Sequence, residues 1–243
     1  MAIFYTPFLM SILFSHFALL IILCLTCTEI WSKPPGNITA QAENTVPTAG
    51  WDLVNDSNGI YVYTHSNHKS DIHEALVTTE ILAPPWRVNA VLADYQHHPD
   101  FMPYVSETVV LRDEPTKVSV FQQLDFFPLP VTDRYYTIQI VTVPNLFGPG
   151  SYQIVWRLEN EKSFVRKGRG IPVHVNMGSW ELRPINNGTY TSVKYYHLTD
   201  FGGWLPTWII NKAIIIDLPM MIKGVKRQVS DNLYDKLVPR KQK

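Results

Sequence analysis

The sequence predicts an α+β domain in which a curved antiparallel sheet packs against a long C-terminal helix. Short apolar segments alternate with turn residues along the middle of the chain, which is typical of antiparallel strands. A helical pattern follows the second strand, and an amphipathic stretch follows the last one. Two strands, one helix, six further strands and a terminal helix are the order expected when helices lie on one face of a sheet.

Composition limits the size of the domain and the class of partner. The chain has 243 residues, of which 46% are hydrophobic and 17% charged, enough for one folded domain with a short appendage. Lysine plus arginine equals aspartate plus glutamate at 21 each, so no overall positive field favours nucleic acid. Both cysteines, Cys24 and Cys27, lie in the N-terminal apolar run, so we expect no disulfide or cysteine-bound metal in the domain.

The first 30 residues predict a signal peptide or a membrane anchor. Residues 8–27 carry no formal charge, and about 20 such residues are enough for a helix to cross a bilayer. Ala40-Gln41-Ala42 is a candidate cleavage site, although it lies far beyond the apolar run, so cleavage and retention both stay open. Residues 31–50 are a polar linker. We therefore expect a domain that is extracytoplasmic, either secreted or periplasmic, or anchored to a membrane.

The strand and turn patterns place the elements of the domain in order. Two strands are predicted over 60–65 and 71–82, and a helix over 86–94 follows Pro84-Pro85. Asn186-Asn187-Gly188 predicts a hairpin between the last two strands. A curved sheet around an amphipathic helix leaves an apolar space that either side chains or a ligand fills. The six later strands are predicted over 106–113, 118–126, 134–143, 152–160, 173–183 and 189–198.

The C-terminal stretch predicts one long helix that ends near residue 238. Gly202 and Gly203 release the chain from the last strand, and Pro206 suits the first helical turn. Apolar residues then recur at spacings of three and four, which predicts one broad buried stripe. A basic tail, 239–243, follows the helix. The predicted stripe contains Trp204, Leu205, Trp208, Ile209, Ala213, Ile216, Met220, Ile222, Val225, Val229, Leu233 and Leu237.

Several local phrases, taken in order, resemble the START lipid-transfer domains of the helix-grip superfamily, particularly the bacterial single-domain members. The resemblance covers nearly all of residues 51–238 and implies a sheet gripping a terminal helix around an apolar cavity that encloses one lipid. The phrases are Trp51, Gly59-Ile60-Tyr61-Val62-Tyr63, Val91-Leu92-Ala93-Asp94-Tyr95, Phe101-Met102-Pro103-Tyr104-Val105, Pro130-Val131-Thr132-Asp133-Arg134, the strand around Trp180, Gly202-Gly203-Trp204-Leu205-Pro206 and Trp208-Ile209-Ile210-Asn211.

Candidate ligand-binding residues come from the strands and from the helix. Arg134 alternates with Tyr136 and Ile138 on one face, so its guanidinium is a candidate partner for a lipid phosphate or carboxylate, with an internal ion pair as the alternative. His197 alternates with Tyr195 on a second apolar face. The tryptophans of the terminal stretch fit either a cavity wall or a membrane surface. The predicted lipid-binding residues are Arg134, Tyr136, Ile138, His197, Trp204, Trp208, Ile209 and Ala213.

The sequence favours lipid carriage over catalysis, and no cofactor is expected. It contains no nucleophile elbow, zinc-protease helix, phosphate loop or dinucleotide turn. His97-His98 near Asp100 has the wrong spacing for a metal site, so we expect a surface loop there and no metal. Two alternatives stay open: a cyclase or aromatase of the same superfamily, and a membrane-anchored ligand-sensing module.

Overall fold

The computed structural model describes residues 50–65, 73–126 and 130–236, whose ten strands form one sheet. Its order is β1-β2-β3-β10-β9-β7-β6-β5-β4, and each neighbouring pair is antiparallel. The short β8 pairs with β6 in parallel. The strands are β1 (Asp52–Ser57), β2 (Ile60–His65), β3 (His73–Ile81), β4 (Val105–Glu114), β5 (Lys117–Leu124), β6 (Arg134–Pro144), β7 (Tyr152–Leu158), β8 (Ile171–Pro172), β9 (Val175–Ile185) and β10 (Tyr190–Asp200).

The helices lie against this sheet, which confirms the predicted α+β helix-grip class. The predicted signal or anchor, most of the linker and the basic tail fall outside the described residues. Within the described part of the chain, no helix is both long and apolar enough to cross a bilayer. The helical elements are α1 (Pro85–Ala93), α2 (His98–Phe101), α3 (Thr207–Lys212), a π-helical segment (Ala213–Asp217), α4 (Leu218–Gln228), and 3-10 turns at Tyr95–His97, Lys162–Phe164, Asn186–Gly188 and Asn232–Lys236.

The predicted hairpin joins β9 to β10. Asn186, Asn187 and Gly188 have φ values of 50°, 55° and 80°, so all three adopt the left-handed region that asparagine and glycine tolerate best. The turn sets the register in which Tyr195 pairs with Trp180. Cross-strand partners share a face of the sheet, so the hairpin places two large aromatic rings side by side on the concave surface.

The predicted long terminal helix is confirmed over residues 207–228, but it is not uniform and it ends before the predicted residue 238. The chain forms α3, widens into a π-helical segment and continues as α4, which ends at Gln228. Pro219 lies in the first turn of α4 and lacks the N–H that an α-helix would direct to the carbonyl of Ile215. Asn55 of β1 supplies the missing donor, since its Nδ2 lies 3.1 Å from Ile215 O.

The predicted apolar stripe is buried only in part. Ile209 in its first half and Ile222 in its second half are buried as expected, but Leu233 is 50% exposed. Trp204 and Trp208 are instead 81% and 53% exposed. The π-helical segment shifts the angular phase of the residues before it relative to those after it, because each of its turns contains more residues than an α-turn. Residues chosen at a constant α-helical spacing therefore lie on one side of the helix before the π-helical segment and on a different side after it.

Close packing and one arginine fix α4 against the N-terminal helices. Gly224 faces α2 so closely that an added Cβ would lie 2.4 Å from Phe101 O, which leaves space for glycine alone. Arg87 of α1 donates from Nε to Val229 O at 2.5 Å and from a terminal nitrogen to Asp231 O at 2.8 Å. The C-terminal end of the helix is thus held at two points.

Arg134 joins the start of β6 to the turn that precedes the terminal helix. Its side chain is buried, and its guanidinium donates to Phe201 O and Gly202 O at 3.0 Å each, and also to Thr132 O. Gly202 has φ 68°, and a Cβ there would lie 2.8 Å from Pro172 O. The arginine therefore binds backbone carbonyls, which corrects both the predicted lipid contact and the alternative of an internal ion pair.

His98 lies at the N-terminus of α2 and is buried, so the prediction of a surface loop was wrong for this residue. Its Nε2 donates to Leu92 O at 3.1 Å, and its Nδ1 accepts from Gln122 Nε2 at 2.9 Å. Burial lowers the pKa of His98 to about 4, against the smaller raising effects of the Leu92 carbonyl and of Asp94. The imidazole is therefore neutral at pH 7.

We expect Arg134→Met to lower the free energy of unfolding by roughly 3 kcal/mol, because three backbone carbonyls lose a charged donor that is itself buried. Chemical denaturation measures the change. Arg169→Met is the matched control, since Arg169 pairs with Asp125 at an exposed site and should contribute about 1 kcal/mol or less. Equal losses in the two variants would contradict the anchoring role of Arg134.

We expect acid to destabilise the fold through His98. Between pH 6.5 and 4 the unfolded chain binds a proton at this residue and the folded protein does not, so stability falls as the pH falls. Lowering the pH from 7 to 5 should cost the wild type about 2 kcal/mol more than His98→Gln. Urea denaturation at both pH values provides the comparison, and parallel losses in the two proteins would refute the assignment.

Candidate functional site

A cavity of about 230 Å³ separates the concave face of the sheet from the terminal helix. Protein interiors contain few voids larger than a water molecule, so this space is a feature of the fold. Strands from β3 to β10 supply most of the wall. The apolar strand residues that line the cavity are Ala75, Val120, Leu124, Ile138, Ile140, Ile154 and Trp180.

The terminal helix forms the roof of the cavity. Ile210 lies on α3, Ala213 and Ile214 on the π-helical segment, and Leu218 and Met221 on α4. The side of the helix that faces the sheet is therefore apolar apart from Asp217. The wide turn lies in the middle of this roof, so the cavity is closed by the part of the helix whose hydrogen bonding is irregular.

A series of hydrogen-bonded side chains runs along the cavity wall from α2 to β6. The Tyr136 hydroxyl donates to Gln122 Oε1 at 2.5 Å, and Gln122 Nε2 donates to His98. Burial raises the pKa of Tyr136 well above its usual range, and a hydrogen bond with Asn176 partly offsets this. His98, Gln122 and Tyr136 are thus neutral groups whose orientations are fixed by hydrogen bonds to one another.

A second polar group lies around Asn176 of β9. The Trp156 indole Nε1–H donates to Asn176 Oδ1 at 2.8 Å, and His197 Nε2 lies 3.3 Å from the same oxygen. Burial lowers the pKa of His197 to about 4, so this imidazole is also neutral at pH 7. Tyr195 packs its ring between Trp180 and Trp156, at centroid distances of 4.5 and 5.7 Å.

A salt bridge lies where the helix meets the loop between α2 and β4. Lys212 Nζ contacts Asp217 Oδ1 at 2.7 Å and also donates to the Tyr104 hydroxyl. The Tyr104 ring packs on Phe126 at 5.0 Å between centroids. Tyr104 and Asp217 both line the cavity, so these contacts hold the roof against the loop at one end of the space.

The structure brings together half of the predicted lipid-binding residues. Tyr136, Ile138, His197 and Ala213 line the cavity. Arg134 is turned to backbone carbonyls, and Ile209 is buried outside the cavity lining because its neighbour Ile210 takes the inward position. The indoles of Trp204 and Trp208 are exposed on the outer side of the helix, so neither forms part of the cavity wall.

Sequence reasoning missed several polar members of the cavity wall. Gln122 and Tyr195 each follow an apolar residue, Val120 or Val193, by two positions. Asn176 precedes Trp180 by four positions, so strand alternation places each of the three on an inward face. A polar side chain at an inward-facing strand position was therefore the sequence feature that could have identified these cavity residues. For the His97-His98 pair, His97 contacts Asp94 while His98 faces the interior, and the described residues contain no cluster able to hold a metal.

The chain matches a known family over more than half its length. The profile of the family described as polyketide cyclase / dehydrase and lipid transport matches residues 81–226. A protein of Pseudomonas aeruginosa, PA1579, is 26% identical over 178 residues, which cover 72% of this chain and 85% of that protein.

Solved structures show the same fold at lower identity. The STAR-related lipid transfer protein of Xanthomonas axonopodis has 23% identity and a TM-score of 0.65, with 75% of this chain and 99% of that one covered. Human STARD10 has 17% identity and a TM-score of 0.66, over 77% and 76% of the two chains. With its concave sheet, terminal helix and apolar cavity, the chain belongs to the polyketide cyclase / dehydrase and lipid transport family and has the START-type helix-grip fold.

Proposed function

We propose that the protein binds one lipid in its cavity and carries or presents it at a membrane. The observation that carries the proposal is the cavity between the sheet and the helix, which is lined mainly by apolar side chains from both. Apolar surface removed from water contributes about 25 cal/mol per Å², so a hydrocarbon chain in this space is strongly favoured. The START-type structures support the proposal by their likeness in fold.

The polar groups of the cavity favour carriage over catalysis. General acids and bases work best with a pKa near the operating pH, whereas His98 and His197 have pKa values of about 4. The His98, Gln122 and Tyr136 side chains are also hydrogen-bonded to one another. These groups orient a ligand without exchanging protons with it at neutral pH.

The outer side of the terminal helix supports contact with a membrane surface. Trp208 and Ile216 of the helix and Trp204 of the preceding turn expose more than half of their surface, and exposed Lys223 and Arg227 follow on α4. Indoles partition to the membrane interface and basic side chains attract anionic headgroups. We propose that the segment 1–30 brings the domain to or across the membrane and that this helix face docks on it.

We expect Ala213→Phe to lower the amount of lipid that copurifies with the protein by roughly tenfold, since a ring in the roof fills the cavity at a cost of more than about 1.4 kcal/mol. Native mass spectrometry after mild purification measures the occupancy. Asn211→Phe, at an exposed position of α3, is the matched control and should keep its lipid. An empty wild type that exchanges no lipid with vesicles would refute the proposed function.

We expect Trp204→Ser/Trp208→Ser to slow lipid transfer between vesicles by about fivefold, because the docking face loses its interfacial anchors. Lipid occupancy should not change, since neither indole lines the cavity. Val165→Ser is the control, an exposed apolar residue next to Arg166, which stacks on Phe121. Equal transfer rates in the double variant and the control would contradict docking through this face.

A further inference from the structure

The Tyr195 hydroxyl has no hydrogen-bond partner among the residues that the structure describes. Tyr195 is 5% exposed and lines the cavity. Its ring packs against Trp180 and Trp156, at 4.5 and 5.7 Å between centroids. The hydroxyl is therefore a donor that a ligand oxygen in the cavity can satisfy.

His197 presents an acceptor beside this hydroxyl. Trp156 Nε1 can only donate, so the Asn176 atom that faces it is the oxygen. The same oxygen lies 3.3 Å from His197 Nε2, which must therefore carry the hydrogen. His197 Nδ1 is left with a free lone pair, and among the described residues it has no hydrogen-bond partner.

The two groups together match an alcohol. An alcohol oxygen donates one hydrogen bond and accepts another, whereas an ether or ester oxygen only accepts. The Tyr195 and His197 rings are adjacent, with centroids 5.9 Å apart, and both residues line the cavity. The hydroxyl would accept from Tyr195 and donate to His197.

The charges around the cavity disfavour an anionic ligand. Asp217 is the one formally charged side chain among the described lining residues, and Lys212 is paired with it. Arg134 is bound to backbone carbonyls. A phosphate or carboxylate in the interior would therefore meet a negative group and no free cation, at a high desolvation cost.

We propose that the bound lipid is uncharged and that its polar end is a hydroxyl held between Tyr195 and His197. This inference rests on the proposed function, because it names the class of lipid that the same cavity takes. The carbon chain extends from the hydroxyl along the apolar wall, beneath the helix.

Three dodecyl probes test the proposal on the full-length protein: dodecan-1-ol, 1-methoxydodecane and dodecanoate at pH 8. They share one chain and differ only in the polar end. Titration calorimetry after removal of copurified lipid should show the alcohol binding about tenfold more tightly than either other probe, because one hydrogen bond to the ligand is gained or lost.

Tyr195→Phe should abolish the preference for the alcohol over the ether while leaving ether affinity within about twofold, because the lost hydroxyl bonds no described residue. Equal binding of alcohol and ether by the wild type, or dodecanoate binding as tightly as the alcohol, would overturn the assignment and leave lipid carriage intact. Retention of the preference in Tyr195→Phe would also overturn it. Failure of all three probes to bind would refute lipid carriage itself.

Discussion

The hydrogen bonds from Arg134 to the carbonyls of the two-glycine turn hold the architecture together. A guanidinium buried at the start of a strand needs several acceptors, and the turn between β10 and α3 supplies two of them. The same contacts fix the direction in which the terminal helix leaves the sheet. The Arg134 guanidinium is bound by carbonyls of the turn and does not reach the cavity. Among the described residues that line the space beneath the helix, Asp217 is the one formally charged side chain.

The cavity combines an apolar wall with neutral, oriented polar groups. His98, Gln122 and Tyr136 fix one another through directional hydrogen bonds, and Asn176 orients Trp156 and His197. In such a low-dielectric space, both histidines lose their affinity for a proton. In the proposed lipid complex, selectivity would arise from the pattern of donors and acceptors, since an ionic headgroup would meet no cationic side chain among the described lining residues.

Sequence patterns predicted the sheet well because strand alternation and turn chemistry are local. The run Val193, Tyr195, His197 showed the inward face of β10, and Asn186-Asn187-Gly188 showed its hairpin. Arg134 emerges on the predicted concave side, opposite Leu124, but its long side chain reaches carbonyls 67 and 68 positions away in the chain, which alternation cannot reveal. Four of the eight predicted lipid-binding residues therefore do not line the cavity: Arg134 for this reason, and Trp204, Trp208 and Ile209 because of the irregular terminal helix.

The terminal helix was predicted correctly, but its apolar stripe was predicted only in part because the helical periodicity is not uniform. Pro219 removes one N–H, the preceding turn widens, and Ile210 takes the inward position predicted for Ile209. A constant spacing of three and four residues cannot describe both sides of such a break. The difference between the predicted and the observed stripe identifies Trp204 and Trp208 as apolar residues that are exposed and not buried in the core. Their indoles are therefore free to contact a membrane surface.

The wide turn in the roof has a consequence for how the cavity exchanges its contents. At this turn the helix relies on Asn55 of an edge strand for a hydrogen bond that its own backbone cannot make. Local opening there breaks fewer intrahelical bonds than opening within α4, which Arg87 and the close approach of Gly224 to α2 hold in place. The helix is thus held by separate contacts on the two sides of this turn, α4 by Arg87 and α3 by the bond from Lys212 to Tyr104, so the turn between them is the place where opening of the proposed ligand space would break the fewest hydrogen bonds.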